Sequence, residues 1–96
     1  MDGLIDRELE RSRAAGERVA RATIVEGPGR GARLLIWHGG AALGDLGSPR
    51  LNQRVALYAE GLLDRGGEER KRFDVPGGDV VIETIILPGA GEERGT

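Results

Sequence analysis

"DVVIETIIL", residues 79–87, decides how this chain folds. Its β-branched content marks a strand. Val80, Ile82, Thr84 and Ile86 fall on one face, and Val81, Glu83 and Ile85 on the other. Both faces are largely apolar, which predicts a strand that is central in a sheet or covered on both sides. "PGG" at 76–78 reads as a tight turn joining it to a preceding strand, "KRFDV" at 71–75. Beyond Pro88, "GAGEERGT" has the composition of a flexible C-terminal tail, residues 89–96.

Upstream, Leu51, Val55, Tyr58 and Leu62 recur at i, i+4, i+7 and i+11, the apolar stripe of a helix that ends near Arg65 and is closed by "RGG". Ser48 followed by Pro49 marks its start, since Ser caps an orphan amide and Pro is tolerated at the first helical position. Before it, "RLLIW" at 33–37 is a short apolar run, turned by "HGG" into a further strand around 41–46. "VARATIV" at 19–25 alternates like a strand, and "EGPGRGA" after it is a loop. Residues 2–15 carry Leu4, Ile5 and Leu9 among strong helix formers, with Gly16 as the stop. The order α-β-β-β-α-β-β describes an α+β domain over residues 1–88: a mostly antiparallel five-stranded sheet with two helices.

Ninety-six residues suit one domain with a thin core. With 3% aromatic residues, that core is built from Val, Ile, Leu and Ala. The absence of cysteine removes disulfides, thiolate metal sites and thiol nucleophiles. A net charge of −2 argues against nucleic acid as a partner. No apolar run suffices to cross a bilayer and no signal-peptide pattern opens the chain, so the expected location is the cytoplasm without membrane attachment. Every basic residue except Lys71 is Arg, a bias that makes any single Arg a weak indicator of function.

Few residues suggest chemistry. His38 stands beside Gly39 and Gly40 with no local carboxylate or companion ligand, and reads as an exposed turn residue. Most carboxylates, Glu60 and Asp64 among them, read as solvated surface. "GPGRGAR" at 27–33 lacks the spacing of a phosphate-binding loop, although Arg30 and Arg33 could face an anion across a cleft. "GDLGSPRLN" at 44–52 is the remaining candidate. A helix N-terminus offers amides and a partial positive charge, with Arg50 and Arg54 one turn apart. Pro49 removes one of those amides and Ser48 satisfies another, so local physics favours an ordinary helix start over an anion cradle.

Three segments, in order, resemble the N-terminal domain of the XdhC/CoxI family, accessory proteins of molybdenum hydroxylases such as xanthine dehydrogenase. "GERVARATIVEG…GARLLIW" is similar to the family's first strand, loop and second strand. "ALGDLGSPRLNQRVALYAEGLL" stands in place of its Val-Gly-Ser-Val-Ser-Gly-Gly-Cys-Val-Glu turn and helix. "PGGDVVIETIILP" is similar to its Cys-Gly-Gly turn and closing strand. The resemblance spans about residues 4–88. Ser48, Pro49 and Arg50 replace Gly-Gly-Cys, Asn52 replaces the Glu, Pro76 stands where the second Cys would lie, and the loop at 27–32 is shorter.

The resemblance implies a non-enzymatic accessory module for maturation of a molybdenum hydroxylase, touching the molybdenum cofactor or an enzyme subunit. Both family cysteines are absent, so no step through a protein thiol transfers to this chain. The site residues it implies are Asp45, Gly47, Ser48, Arg50, Gly77 and Gly78, with Arg30 from the preceding loop. The alternative is a degenerate interaction domain that keeps the fold and self-associates, a homodimer covering the two-faced final strand. A small hydrolase or transferase is disfavoured, because no nucleophile, base and orienting group stand together in the sequence.

Overall fold

The computed structural model describes residues 2–87. Two helices and five strands follow the expected order: α1 (Asp2–Ala14), β1 (Val19–Glu26), β2 (Arg33–Ile36), β3 (Ala42–Gly44), α2 (Pro49–Arg65), β4 (Glu68–Phe73) and β5 (Val80–Leu87). All strand pairs are antiparallel, in the spatial order β3-β2-β1-β5-β4. The fold is the expected α+β architecture, with β5 inside the sheet between β1 and β4.

Cross-strand register sorts the side chains into two faces, because opposed residues share a face. Ala20 opposes Ile86 and Ile36, and Ile24 opposes Ile82. These residues form one buried face. Against it packs α2, through Leu51, Val55, Ala59, Leu62 and Leu63. Small Ala20 and Ala22 at the centre of β1 give the helix room to approach. Tyr58, on the predicted stripe, is half-buried at its margin. Ser48 caps the helix by accepting from the Leu51 amide at 3.4 Å, and Gly66, at φ +77°, ends it.

On the opposite face, α1 sits at the β2–β3 end. Trp37 Nε1 donates to the buried Ser12 Oγ at 2.9 Å, and Arg33 reaches Asp6 at 3.4 Å. Arg18 donates to the Leu63 carbonyl at 2.6 Å, tying the α1–β1 link to the end of α2. Along β5, buried Val80, Ile82, Thr84 and Ile86 alternate with half-buried Val81, Glu83, Ile85 and Leu87. The final strand is therefore central, with one face under α2 and the other partly open among the described residues.

Three boundaries differ from the sequence reading by two residues or more. β4 begins at Glu68 instead of Lys71 and ends at Phe73 instead of Val75. An edge strand needs no apolar alternation on its solvent side, so "EERKR" carries no strand signal, while pairing with β5 extends to Glu68 opposite Ile85. Arg54 holds the Asp74 carbonyl at 2.7 Å, drawing the chain out of the strand there. The β4–β5 connection is consequently the six-residue segment 74–79, closed by Gly78 N–H on the Val75 carbonyl at 3.1 Å. β3 spans only Ala42–Gly44, because the Leu46 amide is taken by Asn52 Oδ1 and no longer serves a ladder. The tail at 89–96 lies outside the described residues.

Candidate functional site

Three connections meet at one end of the sheet: β1–β2 (27–32), β3–α2 (45–48) and β4–β5 (74–79). The pairing of β1 with β5 brings the first and third together. It runs through Ile24 opposite Ile82 to Glu26 opposite Val81, with a bulge between. Contact there is so close that a Cβ on Gly27 would lie 2.5 Å from the Asp79 carbonyl oxygen, and Gly27 also has φ +100°. Only glycine fits such a site without rearrangement. A Cβ on Gly78 would stand 3.7 Å from Pro28 Cγ, and one on Gly29 3.8 Å from the Leu46 carbonyl. Between the connections lies a cleft of about 380 Å³, with Leu46, Leu51, Val75 and Val80 as its apolar walls and Pro28, Gly29, Gly47, Ser48 and Pro76 around it.

The β3–α2 turn is held by its own side chains. Asp45 Oδ1 accepts from the Gly47 amide at 2.8 Å and from Asn52 Nδ2 at 3.1 Å. Asn52 Oδ1 in turn accepts from the Leu46 amide at 2.8 Å. Asn52, one turn inside α2, thereby reaches back and fastens the segment that precedes the helix. The Gly47 amide first, and then the Asn52 amide group, hold the Asp45 carboxyl below its ordinary pKa. The turn carries a firmly ionised carboxylate.

That arrangement tests the fit of an anionic group such as a pterin phosphate. Pro49 has no N–H, Leu51 N–H serves Ser48 Oγ, Gly47 N–H serves Asp45 and Leu46 N–H serves Asn52. No Arg or Lys lines the cleft. Arg50 instead borders a separate groove with Gly40, Ala42 and Gln53. The residues present fit a helix start and do not fit an anion cradle.

Of the sequence-predicted residues, Gly47 and Ser48 line the cleft, and Gly78 packs on Pro28 at its rim. Gly77 lies in the same turn with open space around it. Asp45 borders a separate groove of about 330 Å³ with Leu4, Ile5 and Arg33. Arg30 is exposed in the 27–32 loop, outside the cleft lining. The contacts of Asn52 and Arg54 are not foreseen from the sequence, where Asn52 shows only as a replacement and Arg54 only beside Arg50. The position of Asn52, seven residues after Asp45 at a helix start, is the signal that could find it. Arg54 is not a purely solvated side chain: it donates to the Asp74 carbonyl and lies 5.4 Å over the Phe73 ring.

His38 is an exposed turn residue, as expected, with Nε2 3.9 Å from Asp64 Oδ1. It borders a second cleft, of about 570 Å³, under α1 with Trp37, Leu4 and Leu43. Among the described residues no group of His, Asp and Glu side chains is arranged to hold a metal ion, and no helix is long and apolar enough to cross a membrane.

The profile of the XdhC and CoxI family matches residues 12–74. The match takes in the 27–33 loop and the 44–52 turn and stops before the "PGG" turn and β5. No curated protein matches the chain.

Proposed function

Because this chain belongs to the XdhC and CoxI family, we propose that it is a non-enzymatic accessory module in the maturation of a molybdenum hydroxylase. It acts through contact with a subunit of that enzyme at the three-connection end of the sheet. The observation that carries this reading is the convergence of three connections, two of them within the family match, on one cleft where prolines and glycines offer backbone and apolar surface. Binding surfaces are commonly built on connections that a rigid scaffold positions.

The same geometry assigns no anion of the molybdenum cofactor to the 44–52 turn, because the cap network occupies the Leu46, Gly47 and Leu51 amides and Asp45 supplies a negative charge. The reading without a cofactor role, an interaction domain alone, draws its support from that network. Surface plasmon resonance with a molybdenum hydroxylase large subunit, and equilibrium dialysis with molybdenum cofactor, separate the two. Saturable subunit binding that falls at least tenfold with Pro76→Glu supports the accessory reading. Binding of neither subunit nor cofactor overturns it.

A further inference from the structure

β4 is an edge strand, and its sequence Glu68-Glu69-Arg70-Lys71-Arg72 changes sign at its middle. All five side chains are exposed. The Ile86 amide donates to the Gly67 carbonyl at 2.8 Å, and the ladder alternates from there. The main-chain groups of Glu69, Lys71 and Phe73 therefore face β5, and those of Glu68, Arg70 and Arg72 face outward. Among the described residues nothing pairs with that outer edge.

We propose that β4 pairs antiparallel with β4 of a second copy of this chain, in the register centred on Arg70, joining two sheets into one. In that register the outward-facing residues meet one another: Glu68 opposes Arg72 of the second copy, and Arg70 opposes its own equivalent. On the other face Glu69 opposes Lys71. The one like-charged pair is at the centre, and each Arg70 is already neutralised by Glu83, whose Oε2 accepts from Nε at 3.2 Å and Nη2 at 3.1 Å. A shift by one ladder step halves the attraction or removes it: centred on Glu69, only Glu68 and Arg70 are paired with opposite charge, and centred on Lys71, Arg70 meets Arg72 as Lys71 meets Lys71, so charge selects the register centred on Arg70. Charges on an edge strand commonly prevent pairing. A strand whose two halves carry opposite sign has the reverse effect on an antiparallel copy of itself. In this arrangement self-association runs through the edge of β4, a different surface from the apolar faces of β5 on which the sequence reading places it.

Sedimentation equilibrium of the full chain, with Glu68→Arg and Arg72→Glu, tests this. Both residues are exposed, and circular dichroism verifies that each variant folds. The parent is expected to be a dimer that weakens with added salt. Each single variant loses about tenfold or more in self-association, because two cross-strand pairs turn from attraction to repulsion. An equimolar mixture of the two variants regains the dimer. In the mixed pair one strand is basic at both positions and the other acidic at both, so each of the two cross-strand contacts again joins opposite charges. A monomeric parent, a dimer indifferent to both substitutions, or a mixture that stays monomeric overturns the proposal.

Discussion

Asn52→Ala tests whether the clamp on the 44–52 turn supports the fold. The substitution leaves the Leu46 amide without its acceptor at 2.8 Å, and Leu46 is only 3% exposed. An orphaned buried donor costs about 1–3 kcal/mol, and partial access of water to this amide places the cost in the lower half of that range. The lost Asn52–Asp45 bond is exposed and adds a few tenths. Alanine recovers at most about 0.7 kcal/mol through its higher helix propensity. The net loss is about 1 kcal/mol, which corresponds to about 4–8 °C in Tm for a domain of this size. Thermal and urea unfolding followed by circular dichroism measure it. Arg50→Ala, at an exposed helix position, is the control and stays within about 0.5 kcal/mol of the parent. If Asn52→Ala destabilises no more than Arg50→Ala, the clamp is not structural and the reasoning fails.

Three further outcomes are expected. The Asp45 carboxyl is held below its ordinary pKa by the Gly47 amide, so its contribution to stability is complete above the unfolded-state pKa near 4 and is lost as pH falls through the folded value. Asp45→Asn should flatten the acid limb of a Tm-against-pH curve, and an unchanged limb contradicts this. Tyr58, the only tyrosine, is pushed up to about 12 by burial and then by its bond to Glu69, so tyrosinate absorbance rises late and stability falls as pH climbs from about 10 through 12; titration at an ordinary tyrosine pKa refutes it. Thr84 Oγ1 is fully buried with no hydrogen-bond partner among the described residues, and Thr84→Val should stabilise by up to about 1–2 kcal/mol in urea unfolding. A destabilised variant would mean the hydroxyl has a partner.

The elements with chemistry in their own residues are legible from the sequence. Ser48 and Pro49 announce the start of α2, and the doubled apolar pattern of 79–87 announces an interior strand. The bounds of β4 are not legible, because its strand character comes from pairing with β5 and a charged edge carries no period of its own. The cleft depends on the β1–β5 register, which sets Gly27 against Asp79 and Pro28 against Gly78. Contacts across about 50 residues leave no local mark beyond the glycines themselves. Asp45 is exposed like the other surface carboxylates and is distinguished by the Gly47 amide it holds, while its partner Asn52 is marked in the sequence by its place at the helix start and by its departure from the family pattern.

Whether the three-connection end of the sheet docks an enzyme subunit is read from binding of the full chain to a molybdenum hydroxylase large subunit, by surface plasmon resonance beside the Pro76→Glu variant. Saturable binding that the substitution weakens at least tenfold is the predicted result. No binding to the subunit in either its apo or its cofactor-loaded form, with no uptake of the cofactor by the chain itself, would contradict it.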